Sequence, residues 1–212
     1  MKYHILKRLL DVLISIILIL FLSPFFLAVS IFVKFSSSGP TFYRGTRTGL
    51  RGKPFLIYKF RTMVSNAEKM GGFSTALNDH RLTGVGRILR KYKVDEIPQF
   101  FNVLKGEMSL VGPRPQVSYY TNLYSKKEKV ILSVRPGITD LASLYFSDMD
   151  STLGDSDVDK YYEENIEPIK NKLRLKYVKE ISLLLDLRIL LETFFKVFGI
   201  AGVTNLRIDP LE

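Results

Sequence analysis

Two adjacent carboxylates, Asp95 and Glu96, stand in a strongly basic part of the chain, just before an apolar stretch with helical spacing. Asp95 is a favoured N-cap residue and Pro98 suits a first turn, so the pattern predicts a helix from Asp95 to Leu104. The free N–H groups and positive dipole end of such a helix would favour a phosphate group. On spacing alone, however, Asp95 is better interpreted as a plain helix cap, with Glu96 as a favourable first-turn acid.

Several basic side chains could be presented to that phosphate, namely Lys59, Arg61, Arg90, Arg114 and Arg135. The first two lie two positions apart in a predicted strand, residues 54–61, and should point to the same side. Arg114 stands between Pro113 and Pro115, whose fixed φ angles make a stiff backbone suited to a multidentate hold on phosphate. Each cation also has a plainer interpretation, on a solvated helix face or in a rigid exposed turn.

The charge of the chain is uneven, although its 212 residues carry a formal net charge of +10. Up to Ser118 there are 18 Lys and Arg against 6 Asp and Glu, whereas from Tyr119 the counts are 13 and 15. The basic half therefore predicts an anionic partner: nucleic acid, an acidic membrane surface or a phosphorylated substrate. The absence of cysteine excludes disulfides and thiolate chemistry, and two histidines make a His-rich metal site or a Ser-His-Asp triad unfavourable.

An uncharged run of 22 residues, from Val12 to Val33, is long enough to enter a membrane. As one straight helix it would reach about 33 Å, roughly the thickness of the hydrocarbon layer. Ser23-Pro24 divides it, because proline removes a backbone hydrogen bond and forces a kink. The run is therefore either a kinked spanning helix or a re-entrant helix-break-helix. Basic residues flank both ends and prefer the cytoplasmic side, which favours re-entry.

The remaining pattern predicts an α+β fold that is mostly helical, with few short strands. A first strand is expected at 41–44, and further helices are expected from the capping box at Ser65 to Gly71, from Thr83 to Tyr92, from Val117 to Lys129 and from about Val158 onward. The apolar segment 181–198 carries four charges, which favours an amphipathic interfacial helix over a core helix.

Two polar segments have less specific patterns. Residues 44–53 mix glycines with cations, which suits either phosphate or a basic loop lying on anionic lipid headgroups. The acidic run at 148–159 lacks the glycine and closing glutamate of an EF-hand, so it is predicted to be a solvated loop.

Longer motifs carry a family pattern: Lys7 to Asp11 before the apolar run with Ser23-Pro24, Gly52 to Met63, Arg81 to Arg90, Asp95 to Pro115, and Arg135 to Thr139. Together they resemble the bacterial sugar transferases, in the short form of monotopic polyprenyl-phosphate phosphoglycosyl transferases that consists of the catalytic domain alone. The resemblance covers nearly the whole chain, and its two central blocks are long and specific.

The resemblance implies transfer of a sugar 1-phosphate from a UDP-sugar to undecaprenyl phosphate, with release of UMP and with Mg²⁺ as cofactor. It implies that Asp95 is the nucleophile, forms a covalent phosphosugar intermediate and is the first metal ligand, with Glu96 as its partner. It assigns phosphate handling to Lys59, Arg90 and Arg114, and the re-entrant break to Ser23 and Pro24. The remaining candidates for substrate binding are Arg61, Pro113, Pro115 and Arg135.

The expected organisation is a re-entrant anchor (1–36), a catalytic domain (37–177) and a C-terminal interfacial helix with its tail (178–212). The domain is expected on the cytoplasmic face of the bacterial inner membrane. Its expected partners are the UDP-sugar donor, the polyprenyl phosphate acceptor and the phospholipid membrane, without nucleic acid. The sugar, the glycan pathway and the formation of a homo-oligomer stay open.

The chain departs from the family pattern at Lys93-Val94, Gly45 and Asp140-Leu141, which leaves sugar and nucleoside recognition open. Two other interpretations remain: a membrane-tethered basic module that binds nucleic acid, and a non-catalytic scaffold. The chain contains no nucleic-acid-binding motif, and its carboxylate pair is intact, so the enzyme is favoured.

Overall fold

The computed structural model describes residues 2–70, 79–146 and 158–200, together with residues 203, 204, 206, 208 and 209. Its helices are α1 (Lys2–Phe21), α2 (Ser23–Ser36), α3 (Gly84–Lys91), α4 (Gln99–Lys105), α5 (Ser118–Asn122), α6 (Leu141–Phe146), α7 (Val158–Tyr161), α8 (Glu167–Glu180) and α9 (Leu183–Val197). Its strands are β1 (Phe42–Thr48), β2 (Pro54–Phe60), β3 (Ser109–Val111) and β4 (Gly137–Thr139). The described part is thus mostly helical with short strands, as predicted.

The uncharged run forms two helices, α1 and α2, which meet at a bend of 64°. Pro24 has no N–H for the Leu20 carbonyl, and the Ser23 hydroxyl donates to that carbonyl instead (2.8 Å). The break predicted at Ser23-Pro24 is therefore confirmed. In the described chain, no helix is by itself long and apolar enough to cross a membrane, although the bent pair taken together is.

The polar end of α1 is fastened to the folded domain. Lys7 forms an ion pair with Asp186 of α9 (2.7 Å), and Arg8 donates to two carbonyls in the last turn of α4. Asp11 is buried and accepts hydrogen bonds from the first two residues of β3 (2.8 and 3.1 Å). The first three turns of α1 therefore belong to the domain as much as to the apolar run.

The far end of α2 packs against the same domain. Val29 and Val33 form a buried cluster with Phe60 of β2 and Leu89 of α3. Burial of these side chains contributes about 1.5–3 kcal/mol each, so the cluster is a substantial joint. Both ends of the bent pair are thus held by one body.

Arg61, which follows β2, binds the end of α2 to the domain. Its guanidinium donates to the carbonyls of Val33, Ser37 (2.6 Å) and Pro40, at the end of α2 and in the linker that follows. β2 ends at Phe60, so Arg61 lies one residue beyond the strand in which it was predicted beside Lys59. The linker carbonyls, which have no strand partner, draw the side chain away.

The strands form two small sheets. β1 and β2 make an antiparallel hairpin in which Tyr43 lies opposite Lys59, whereas β3 and β4 pair in parallel. The strand predicted at 54–61 is confirmed to within one residue. The strand predicted at 41–44 is longer and continues to Thr48, because cross-strand hydrogen bonds stabilise a segment whose own composition favours a loop.

The main hydrophobic core lies where α8 and α9 pack against β3 and α4. Its most deeply buried members are Leu173, Tyr177, Ile189, Val103 and Met108. The boundary predicted between residues 177 and 178 falls inside α8, and the division into three parts stays a prediction.

Two helix predictions differ in outcome. α3 lies where it was predicted, and the Thr83 hydroxyl caps it by accepting from the Gly86 N–H (2.9 Å). The helix predicted from Val117 to Lys129 is wrong: α5 stops at Asn122, and a 3₁₀ helix follows at Glu128–Ser133. Ser125 and Glu128 bond reciprocally to each other's backbone N–H, which starts the new turn.

The remaining predictions fall partly outside the described residues. The capping box at Ser65 precedes one 3₁₀ turn, Ala67–Met70, and its expected end at Gly71-Gly72 lies outside. So does nearly all of the acidic run, residues 148–157. α9 exposes an apolar face with residues at helical spacing, Leu184, Leu187, Leu191 and Phe194, and its place at a membrane interface stays a prediction.

Candidate active site

Asp95 and Glu96 lie in a short 3₁₀ turn, Val94–Glu96, between α3 and α4. Lys93 adopts a left-handed conformation (φ 55°) that turns the chain sharply before the carboxylates. α4 begins only at Gln99, so the predicted helix start and the role of Asp95 as its cap are wrong. The reason is that the Asp95 side chain turns into the protein, where its residue is 4% exposed, instead of back onto the backbone.

Glu96 is locked in place by two cations. Its Oε1 accepts from the Lys59 ammonium (2.8 Å) and from the Arg114 guanidinium. Burial alone would raise the pKa of Glu96, but Arg114 and Lys59 outweigh it and hold that pKa well below its usual range. Glu96 is therefore ionised at neutral pH and forms part of the frame of the site.

Asp95 is held differently. In the described chain, no group donates a hydrogen bond to its carboxylate, although Lys59, Arg90 and Arg114 are near enough to act on its charge. Burial raises the pKa of Asp95, and the neighbouring cations only partly offset that effect. The two adjacent carboxylates thus have different surroundings. Glu96 is fixed by ion pairs, whereas the oxygens of Asp95 are available to a ligand.

Arg90 reaches the site from α3. Its Nε donates to the Thr62 hydroxyl (3.1 Å), just beyond the end of β2. α3 can lie this close because Gly86 has no side chain: a Cβ there would come within 1.9 Å of the Thr62 carbonyl oxygen. Burial lowers the pKa of Arg90, which indicates that an anion would be favourable beside it.

Arg114 is positioned by its backbone and by its side chain. Its N–H donates to the buried carboxylate of Asp140 (3.0 Å), and its guanidinium reaches the Ile138 carbonyl as well as Glu96. Pro113 accepts from the Gly137 N–H (3.0 Å), which fixes one side of the turn, while Pro115 restricts the other. Arg114 pairs with Glu96 of the dyad, so the plainer interpretation, a solvent-facing arginine in a rigid turn, is wrong.

Two residues that position the site were missed from the sequence. Asp140 also accepts from the Ser143 N–H (2.7 Å) and so caps α6; an acid just before an apolar helical run was the available signal. Asn102, fully buried in α4, accepts from the Tyr58 N–H and donates to the Leu56 carbonyl (2.9 and 2.8 Å). It ties α4 to β2, and a polar residue among apolar helix positions was its only signal.

The structure does not bring all candidate residues together. Lys59, Arg90 and Arg114 surround the dyad, and Pro113 and Pro115 flank Arg114 in the chain, whereas Arg61 lies at the joint with α2. Arg135 donates to the Gly106 carbonyl (2.9 Å) at the end of α4, beside Arg8. Two arginines there donate to carbonyls at the C-terminal end of the helix, which is a structural role.

A metal ion would have to be shared with a ligand. Within the described ranges there is no group of three or more Asp, Glu, His or Cys side chains that could hold one. Mg²⁺, however, commonly binds through one or two carboxylates together with substrate phosphates and water. The unbonded Asp95 carboxylate fits that arrangement, because Glu96 is already occupied by cations.

Three cations around one available carboxylate form a pocket suited to a phosphorylated ligand, and similarity to known proteins agrees with this chemistry. A family model described as bacterial sugar transferase matches residues 2–200. The chain belongs to the bacterial sugar transferase family. This sugar transferase is 39% identical over 169 residues to the UDP-N-acetylgalactosamine-undecaprenyl-phosphate N-acetylgalactosaminephosphotransferase of Aeromonas hydrophila, with 77% of the chain and 40% of that protein covered.

Two further relatives match more of the sugar transferase. The UDP-glucose:undecaprenyl-phosphate glucose-1-phosphate transferase of Klebsiella pneumoniae is 39% identical over 197 residues, covering 91% of the chain and 40% of that protein. The uncharacterized sugar transferase EpsL of Bacillus subtilis is 38% identical over 199 residues, covering 94% of the chain and 90% of that protein. The chain thus spans two fifths of the first two relatives and nearly all of the third.

Proposed function

We propose that this sugar transferase moves a sugar 1-phosphate from a UDP-sugar to undecaprenyl phosphate and releases UMP. The observation that carries the proposal is the unequal carboxylate pair: Asp95 is buried and unbonded, while Glu96 is clamped by Lys59 and Arg114. A structural ion pair would not need a second, uncompensated carboxylate beside it. The names of the relatives, which specify UDP-sugars and undecaprenyl phosphate, support the choice of substrates.

The proposed reaction has two steps. A carboxylate oxygen of Asp95 attacks the phosphorus that carries the sugar, and the bond from that phosphorus to the bridging oxygen breaks, so UMP leaves. A phosphate oxygen of the lipid then attacks the same phosphorus and frees Asp95. A carboxylate is already deprotonated, so it needs no separate base to activate it. Arg90 and Arg114 would neutralise the charge that develops on the phosphate oxygens.

Mg²⁺ is proposed as the cofactor, held by Asp95 and the donor diphosphate. It would neutralise the diphosphate and polarise the bond that breaks. Lys59 and Arg114 already occupy the Glu96 carboxylate, so Asp95 is the residue of the pair that would hold the metal.

UMP release tests this function directly. The full chain in lipid nanodiscs with Mg²⁺ should release UMP from at least one member of a panel of UDP-sugars, and release should require polyprenyl phosphate for multiple turnovers. With donor alone, one equivalent of UMP or less should appear, because the phosphosugar stays on Asp95. If no UDP-sugar in the panel yields UMP, the proposed reaction is wrong for this chain.

We further propose that α1 and α2 form a re-entrant anchor in the bacterial inner membrane, with the domain on the cytoplasmic face. The support is that Lys7 and Arg8 at one end and Val33 at the other contact the same domain. A spanning pair would place these two ends about 30 Å apart across the hydrocarbon layer. The transfer would then be the first membrane step of a glycan pathway, since it puts the first sugar on the lipid.

Labelling of single cysteines tests the anchor, because the natural chain has no cysteine. We expect Lys2→Cys to resist a membrane-impermeant maleimide in intact spheroplasts and to react after permeabilisation. Lys126→Cys, on the exposed surface of the domain, is the matched control and should behave in the same way. Labelling of Lys2→Cys alone in intact spheroplasts would show that the pair spans the membrane.

A further inference from the structure

A cavity of about 630 Å³ lies at the turn end of the β1–β2 hairpin, between the hairpin, α5 and the 3₁₀ helix Glu128–Ser133. It is separate from the dyad. Arg47, in its wall, pairs with Phe55, whereas Lys59, which holds Glu96, is four residues farther along β2. At about 3.3 Å per residue, that is about 13 Å along the strand.

Three cations line this cavity and no acid does. They are Arg47, Arg51 and Lys129. Within the described ranges, the side chains of Arg51 and Lys129 have no hydrogen bond or ion pair, and the Arg47 side chain donates only to the carbonyl of its neighbour Thr46 (2.8 Å). Cations gathered around one concave surface without an anion repel one another, so the arrangement favours an anionic occupant.

The backbone at Arg51 is unusual in a way that fits such an occupant. Arg51 has a left-handed conformation (φ 55°, ψ 30°), which glycine adopts at no steric cost. The next residue is Gly52, at φ 77°, so the turn already uses glycine where the conformation demands it. Arg51 nevertheless keeps a charged residue at this strained position in the wall of the cavity, and strain of this kind clusters at ligand sites.

The remaining wall suits a phosphate ester. Four hydroxyl-bearing residues also line the cavity, namely Thr46, Ser118, Thr121 and Ser133, and the Thr121 hydroxyl already pairs with that of Thr48 (2.9 Å). Hydroxyls and guanidinium groups are the usual partners of phosphate oxygens. The volume is within the range of sites for small molecules, about 300–1,000 Å³, and exceeds what a lone inorganic phosphate needs.

We propose that this cavity is a second phosphate-binding site, independent of the dyad, that takes a phosphate ester of the size of a nucleotide or a lipid headgroup. Arg51 and Lys129 contact the phosphate, and the hydroxyl groups orient the ester. The two sources of the ester share one recognition chemistry and differ in whether the ligand is in solution or in the membrane.

Calorimetric titration of the full chain in neutral phosphatidylcholine nanodiscs with inorganic pyrophosphate, in EDTA, tests the site. We expect Arg51→Gly and Lys129→Ala each to raise the dissociation constant of one class of pyrophosphate site by about tenfold or more. Arg51→Gly relieves the left-handed strain, so its Tm should be unchanged or higher. Lys126→Ala, an exposed lysine three residues away that does not line the cavity, is the matched control and should bind as the natural chain does.

Nanodiscs that also contain phosphatidylglycerol distinguish the two sources. If a headgroup occupies the cavity, this lipid should weaken pyrophosphate binding, and the weakening should disappear in Arg51→Gly and Lys129→Ala while it persists in Lys126→Ala. If the ligand is soluble, those two variants should lose pyrophosphate binding with no effect of the anionic lipid. Equal pyrophosphate binding and equal lipid dependence in all three variants would overturn the proposal, whatever the activity of the dyad.

Discussion

Asp95→Asn is expected to lower the rate of UMP release from a UDP-sugar by about 10⁴-fold or more, the usual scale for loss of an attacking group. The amide keeps the size and the position of the side chain but cannot form a stable bond to phosphorus. It also removes a carboxylate that accepts no hydrogen bond within the described residues. The initial rate of UMP release with saturating donor and acceptor measures the effect.

Intact mass with donor alone makes the test specific to the nucleophile. The natural chain should gain the mass of one phosphosugar within a single turnover, and Asp95→Asn should gain none. Glu180→Gln, which alters an exposed carboxylate at the end of α8, should behave as the natural chain does in both assays. Full turnover or an added phosphosugar in Asp95→Asn would refute the role assigned to Asp95.

The anchor and the site depend on the same few residues. Arg8 of α1 satisfies carbonyls at the end of α4, the helix that follows the dyad. At the other end, Val33 of α2 packs on Phe60, next to Lys59, whose ammonium holds Glu96. A shift of either anchor helix would therefore move one support of the carboxylate pair. Holding the domain in this way also keeps the site near a lipid acceptor, which raises its effective concentration.

Local patterns predicted the elements whose signals are local. The break at Pro24 and the helix capped by Thr83 follow from backbone chemistry within a few residues, and both are confirmed. The stiff turn around Arg114 also follows from its two prolines. These features need no knowledge of what packs against them.

Features set by distant partners could not be predicted. Arg61 leaves the expected strand face because linker carbonyls about 20 residues earlier need donors. Asp95 is a good cap by type, but its side chain is buried near cations from β2 and α3, which are distant in sequence. Arg135 was a candidate for substrate binding from its sequence. Only the packing at the end of α4 reveals its partner, the Gly106 carbonyl. In each case a contact across the fold overrides the local preference.

The carboxylate pair makes a second prediction, which does not depend on activity. Glu96→Gln is expected to lower the free energy of unfolding at pH 7 by about 3 kcal/mol, because it leaves Lys59 and Arg114 partly buried without their anion. Asp95→Asn is expected to raise that free energy, because it removes a charge that burial disfavours. Urea unfolding of both variants in detergent micelles, in EDTA and without donor, measures the two shifts.

The pH dependence of these shifts follows from the two pKa directions. The folded pKa of Glu96 lies below its ordinary value of 4.5, so its ionised form stabilises the protein above that pH and the contribution fades as the pH falls further. The folded pKa of Asp95 lies above its ordinary value of 3.8, so its penalty is present at neutral pH and disappears as the pH falls through the folded pKa toward 3.8.

The difference in free energy of unfolding between the two variants should therefore be largest near pH 7 and shrink toward pH 4. The stabilisation by Asp95→Asn should disappear first. With Mg²⁺ and a UDP-sugar, the natural chain should become more stable than Asp95→Asn. A ligand that binds the ionised carboxylate stabilises the natural chain and not the amide. If both variants lower the free energy of unfolding by similar amounts at pH 7, the two carboxylates are equivalent structural ion-pair partners, and the distinction on which the proposed mechanism rests is lost.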